Sequence, residues 1–446
     1  MHPFFRWTKF RVWFPALFFV AYWIHSFCAY HFGFVILPNL QTNTIVYLCV
    51  SMGVFLVGYS MGVNGRLGSR VTGPQSAFLM NQRVLRYEPF LRVVACIGII
   101  GLIAGLLTTG AGSIEKTLEE TEFVREELGY KMSPITTISM IFHIWYFIFL
   151  SMVFLGGAIR QSYPKASYAI VLFSYAGLCF QSFLSANRGN FFAVITYAAF
   201  DIFYVRGVRI RDVLWSVKWL WVRIVVVLFV LVAFSYFFFI SRYRGAEGGL
   251  TSAYYSAKDM DRYGLYSWFP ADQIDITAFL GLYTYCCTGY DAIDCFVQRA
   301  DPFAFRPSVL IGSRTIRQFN RVLPDSLKIY ELSAVTEGNK WRSQAGIALF
   351  GWPTIWGWNL AMFGYIGAVL FMFVYGLYFG SASGEFMRYA NIGALIVCFA
   401  EYSILMTSYN NIGGDVMHQC ARWVGICIWM ALKGKRMYFR KNGYIV

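Results

Sequence analysis

Charged side chains are scarce in this chain. Asp, Glu, Lys and Arg make up 14% of its 446 residues, whereas a soluble globular protein carries about 25%. That shortage excludes a water-soluble domain as the main body of the chain. Several motifs are absent as well. There is no GxxxxGK[ST] phosphate loop, which excludes an ATP-driven pump of that class. Neither HExxH nor CxxC occurs, and no metal or cofactor is expected. The ten cysteines lie mostly inside apolar runs and read as small apolar filler. Cys286, Cys287 and Cys295 sit in or near a more hydrophilic stretch, where one pair can oxidise. Internal repeats and low-complexity tracts are missing. No cleavable signal peptide is visible, because the first apolar run is too long and no small-residue cleavage site follows it.

Long apolar runs fill the space that charge leaves. Hydrophobic residues are 58% of the chain and aromatic residues 20%. About 20 consecutive apolar residues span a bilayer. Such runs lie at about 13–37, 44–63, 91–110, 135–158, 167–185, 190–205, 219–241, 358–380, 390–408 and 416–432. They predict an all-α polytopic membrane protein with about ten transmembrane helices. The net charge of +15 does not imply nucleic acid, because the cations are scattered among short segments between the runs.

Those cations assign sides. Arg6, Lys9 and Arg11 precede the first run, and Arg66, Arg70, Arg83 and Arg86 follow the second. Arg160 and Lys165 follow the fourth, and Arg206, Arg209, Arg211 and Lys218 follow the sixth. Lys433, Lys435, Arg436, Arg440 and Lys441 close the chain. Every second connection is basic, which places these segments and both termini in the cytoplasm. The alternate connections are neutral or acidic, such as 111–134 with its six glutamates. Three regions follow: 1–241 with seven runs, a large extracytoplasmic loop over 242–357, and 358–446 with three runs and a basic tail. The loop is expected to be helical. Its apolar segment 274–290 is expected to be re-entrant or buried rather than spanning, since a further span would reverse the tail.

The candidate site residues are arginines that oppose this charge bias. Arg188 sits in the tight turn Ser185–Asn190, which faces outward. A guanidinium there either snorkels to headgroups or holds a phosphate bidentately. Arg242 and Arg244 leave the outer end of the seventh run together, placed to clamp a diphosphate or to anchor on headgroups. On a helix, Arg314, Arg317 and Arg321 share one face, which suits a membrane surface or a lipid-diphosphate cavity. Lys340, Trp341 and Arg342 precede the re-entry segment Gly351–Trp358; the aromatic residues suit sugar stacking, and an interfacial belt more readily. His143 lies within the fourth run without a second ligand at helical spacing and reads as structural.

Three stretches resemble the Wzy-type oligosaccharide repeat-unit polymerases of bacterial O-antigen, capsule and exopolysaccharide pathways. Ser185-Ala186-Asn187-Arg188-Gly189 is similar to that family's serine–arginine–glycine turn. Phe279–Tyr283, then Asp291–Asp294 and Arg306–Asn320, are similar to its loop pattern. Phe363-Gly364-Tyr365-Ile366-Gly367 is similar to its re-entry motif, although Met362 stands where an aspartate is usual. The resemblance implies a GT-C-like membrane fold in the bacterial inner membrane. It implies a metal-independent glycosyltransferase acting on undecaprenyl-diphosphate-linked oligosaccharide, with a chain-length regulator and a flippase as partners. In that reaction Arg188, Arg242 and Arg244 would stabilise the diphosphate leaving group, and Arg314, Arg317 and Arg342 would bind substrate. No general base stands out; Glu247 is near the arginine pair in sequence only.

Two rival functions differ in what they require. A lipid-to-acceptor ligase generally uses a histidine in the large outer loop, and none occurs over 242–357. A lipid-linked oligosaccharide flippase or other transporter usually has repeated halves and broken helices, and neither is visible in the sequence. An acyltransferase would require His143 to face a tunnel.

Overall fold

A computed structural model of the chain describes residues 9–32, 40–65, 86–108, 145–156, 165–184, 189–216, most of 220–236, 289–305, 341, 354–389, 391–407 and 420–430. All regular structure among them is helical. In chain order the helices are α1 (Lys9–Phe32), α2 (Thr42–Val63), α3 (Glu88–Thr108), α4 (Trp145–Gly156), α5 (Lys165–Leu184) and α6 (Gly189–Ala199). A π-turn, Phe200–Val205, continues α6. Then come α7 (Ile210–Trp215), helical residues within 220–236, α8 (Gly289–Arg299), α9 (Thr354–Tyr389), α10 (Ile392–Thr407) and α11 (Cys420–Met430). Each apolar run of the sequence therefore contains described helical residues. Helices α2 and α9 are long and apolar enough to cross a membrane by length and composition.

The tightest packing joins α2 to α9, and glycine makes it possible. Added Cβ atoms at Gly58 and Gly62 would collide with the carbonyl oxygens of Phe373 and Leu377. Cβ atoms at Gly376 and Gly380 would collide with those of Phe55 and Tyr59, and one at Gly384 would crowd Val63. The spacing is small-xxx-small on both helices, which lets two backbones approach closely. Residue numbers rise together along the contact, so the helices run parallel. At its end the Arg388 guanidinium donates to the Val63 carbonyl, 2.7 Å away.

The other helices gather around this pair. The Tyr59 hydroxyl donates to the Val12 carbonyl of α1 at 2.6 Å and lies 3.0 Å from Ser383 Oγ of α9. Tyr204 of the π-turn reaches the same Ser383 at 2.9 Å. Arg11 donates to the carbonyls of Tyr204 and Val205, which lack helical partners at the end of the π-turn. Phe399 of α10 packs among Phe147, Tyr197 and Phe200, with ring centroids 5.0–5.1 Å apart. Helices α10 and α11 run antiparallel, with Gly393 against Trp429 and Gly425 against Val397.

Helix α9 is broken. Gly364 has φ 70° and ψ −175°, a region open essentially to glycine alone. The break frees backbone groups, and residues 301–304 take them up. Ala304 N–H donates to Phe363 O, Tyr365 N–H to Asp301 O and Ile366 N–H to Pro302 O, at 2.8–2.9 Å. The sequence suggested no broken helix because apolar residues run through the break without interruption. The observed helix also starts before, and ends after, the expected 358–380 span.

Many apolar side chains remain on the outside. Phe90, Val93, Ile97 and Ile100 form an exposed stripe on α3, while Leu91, Val94, Ala95 and Ile99 are buried. Residues Val226, Val227, Leu228, Val230, Leu231 and Val232 are all exposed. Helices apolar on every side suit an apolar surrounding rather than water.

Gly380→Val should lower stability by about 3 kcal/mol or more through overpacking against backbone. Gly53→Ala, where a Cβ meets nothing within 4 Å, should be neutral or raise it by up to about 1 kcal/mol. Thermal unfolding of the detergent-purified protein measures both; equal effects would refute the glycine contact.

Candidate functional site

The six arginines singled out by sequence, Arg188, Arg242, Arg244, Arg314, Arg317 and Arg342, lie outside the described residues. So do His143, Glu247 and all of 274–290 except Gly289 and Tyr290, which open α8. The described elements next to them in the chain can be placed. Arg188 immediately precedes α6, and α6 runs toward the end where Arg11, Val63 and Arg388 meet. Its start is therefore at the opposite end of the bundle. Arg342 immediately follows Trp341, which packs edge-on against Phe296 of α8 at 5.2 Å.

Helix α8 also belongs to that opposite end. Asp294 accepts hydrogen bonds from the Gln41 backbone N–H, at 3.1 Å, and from the Thr44 hydroxyl. It thereby caps the first turn of α2 from another helix. Tyr290 donates to Trp23 O at 2.9 Å. Its ring joins an aromatic cluster in which Trp23 and Trp356 are 5.6 Å apart and Phe19 stacks on Trp356 at 5.8 Å. Trp341 is only 6% exposed, and Trp356 and Trp358 are buried too. These tryptophans are core side chains, which differs from the interfacial belt expected from sequence. Their neighbours on α1 and α8 are distant in the chain and invisible to local composition.

The Phe363–Gly367 motif is the break in α9, and its partner is the short segment Asp301–Ala304 that follows α8. A Cβ at Gly364 would lie 2.5 Å from Asp301 O and 2.8 Å from Ala304 N. Glycine is thus required both for its dihedral angles and for the close approach. The first half of α9 carries three buried polar atoms with no hydrogen bond: Thr354 Oγ1, Trp356 Nε1 and Asn359 Oδ1. Thr354 also has φ 43°, an uncommon conformation for a β-branched residue.

A second feature was missed in the sequence reading. Glu401 of α10, fully buried, faces Arg422 of α11. Arg422 Nε is 2.5 Å from Glu401 Oε1, an ion pair without hydrogen-bond alignment. Arg422 Nη2 donates to Oε2 at 3.1 Å, and the Tyr375 hydroxyl of α9 donates to the same oxygen at 2.6 Å. The Tyr378 hydroxyl is buried nearby without a hydrogen bond. Oε2 thus accepts two hydrogen bonds, while Oε1 has the Arg422 guanidinium beside it. One acid and one base in consecutive apolar runs were the sequence signal that could have paired them. Among the described residues no three His, Cys, Asp or Glu side chains converge as metal ligands.

No family model matches this chain, and neither a curated protein nor a solved structure matches it.

Glu401→Gln and Arg422→Met should each cost about 3–5 kcal/mol, because each strands a buried charge. Glu401→Gln combined with Arg422→Met should recover much of that loss. Thermal melts of the four proteins form the cycle, and simple additivity would refute the pairing. Gly364→Ala should cost about 1–3 kcal/mol by the same measurement.

Proposed function

We propose that this chain is a multi-pass protein of the bacterial inner membrane that polymerises lipid-linked oligosaccharide repeat units. In this reading ten helices span the bilayer, both termini are cytoplasmic and residues 242–357 lie outside. The arrangement of the described helices supports it. Arg11, Arg206 and Arg388 gather at one end of the bundle, as a cytoplasmic face requires. Helices α2 and α9 are parallel, as two helices entering from the same side must be. Apolar side chains cover the outside of α3 and of the 220–236 segment.

The observation that carries the enzymatic reading is the break at Gly364. The Phe-Gly-x-x-Gly segment that resembles the polymerases' re-entry motif is where the large loop docks its backbone into the membrane region. A sugar hydroxyl of a new lipid-linked unit attacks the anomeric carbon of the growing chain. The new C–O bond forms as the bond to undecaprenyl diphosphate breaks, and the hydroxyl proton passes to a base. Negative charge grows on the diphosphate, and Arg188, Arg242 and Arg244 stabilise it without a metal. Arg314, Arg317 and Arg342 bind substrate. A chain-length regulator and a flippase are the expected partners, and no nucleic acid is involved. The absence of a histidine from 242–357 disfavours the ligase.

Two observations favour a second reading. A broken helix and an ion pair inside apolar helices are also features of transporters. A lipid-linked oligosaccharide flippase is therefore the alternative.

Reconstitution with undecaprenyl-diphosphate-linked repeat units separates the two. Wild type should give a ladder of products, and Arg188→Ala and Arg242→Ala should lower the rate by about 100-fold or more while folding normally. Labelled lipid-linked sugar crossing the bilayer without a ladder would end the polymerase reading.

A further inference from the structure

The segment after the π-turn has a composition that the proposed chemistry does not use. Between residues 206 and 223 there are five cations, Arg206, Arg209, Arg211, Lys218 and Arg223, against one acid, Asp212. Three tryptophans, 215, 219 and 221, share the same stretch.

The described part of this segment is a built structure. Arg206 N–H donates to Asp201 O at 2.8 Å, and Val208 N–H to Ile202 O at 3.1 Å, closing the π-turn. Gly207, with φ 65°, then turns the chain, with the Arg11 side chain against it. Helix α7 follows, and Arg223 holds its far end by donating to Leu214 O and Ser216 O at 2.5 and 3.1 Å. Arg206 is already neutralised by Asp201, with both carboxylate oxygens at 3.0 Å from Nε. Arg209 and Arg211 are exposed, and among the described residues neither side chain has a hydrogen bond or an ion pair. Asp212 is exposed beside them. Trp215 is 78% and Trp221 76% exposed, and Ile210, between the two arginines in sequence, and Leu214, beside Trp215, are exposed too.

We infer that this segment is a binding site for anionic phospholipid at the cytoplasmic face. Exposed tryptophans belong at the level of the headgroups, and arginines pair with lipid phosphates. Asp201 consumes Arg206, and Arg223 is occupied with backbone, so Arg209 and Arg211 carry the described charge that faces lipid. Clamping by Arg223 and Arg11 fixes α7 before any lipid arrives, which reduces the ordering cost of binding. The inference rests on the membrane placement proposed above and not on polymerase chemistry.

The test is native mass spectrometry of the full detergent-purified chain equilibrated with equal amounts of phosphatidylglycerol and phosphatidylcholine. Wild type should retain phosphatidylglycerol preferentially. R209Q/R211Q should lose about 30-fold of that preference, the effect of two surface charges at about 1 kcal/mol each. R209K/R211K should keep most of it, and matching circular dichroism and melting should show that both variants fold. Equal retention of the two lipids by wild type, or a preference that R209Q/R211Q keeps, would overturn the site. Wild type that prefers phosphatidylglycerol but makes no polymer ladder supports this site while ending the polymerase reading.

Discussion

The glycine contact between α2 and α9 is the constraint from which the rest of the bundle follows. In an apolar surrounding, helices gain little from hiding apolar surface, and close van der Waals packing has to hold them. Gly58, Gly62, Gly376, Gly380 and Gly384 allow that approach over nearly three turns on each side. Once the two backbones are locked parallel and in register, Tyr59 falls beside Ser383. Those two groups then tie in α1 through Val12 and the π-turn through Tyr204. Helix α8 in turn rests on the opposite end of α2 through Asp294.

At three departures from regular helix, freed backbone groups are taken up by other parts of the protein. Arg388 takes the Val63 carbonyl, Arg11 takes the end of the π-turn, and the 301–304 segment takes the broken ladder at Gly364. An unpaired backbone group in a dry surrounding is costly, so each irregularity brings its own partner. The Glu401–Arg422 pair obeys the same rule with full charges. It also fixes α11 to α10 and, through Tyr375, to α9.

These ties matter for the proposed chemistry because, in that reading, they join the expected outer loop to the expected spanning helices. The loop segment after α8 is bonded into α9 at the break, and α8 itself caps α2. The same junction would serve a transporter as a hinge, which is why the break supports two readings and only turnover separates them.

Hydropathy along the chain located most of the described helices, while α7 and α8 lie outside the apolar runs. The expected run at 44–63 is the observed Thr42–Val63, and 390–408 is Ile392–Thr407. Every turn of such a helix must be apolar, so the signal is local and repeated. Charge alternation suggested basic segments on one side, and two of those cations, Arg11 and Arg206, lie at the end of the π-turn. The candidate arginines were legible as residues against the bias, but their geometry lies outside the described residues. Pairing was not legible. The glycine spacing of α2 and α9 is plain in the sequence, yet nothing local names the partner more than 300 residues away. The break at Gly364 was hidden because an apolar stretch reads alike whether continuous or interrupted. Trp341, Trp356 and Trp358 looked like a surface belt, and their burial depends on α1 and α8. One-dimensional composition determined where most of the described helices form and which segments are basic. Contacts between distant segments decided which helices touch, where one breaks and which charges meet, because those outcomes depend on surfaces that exist only after the chain has folded.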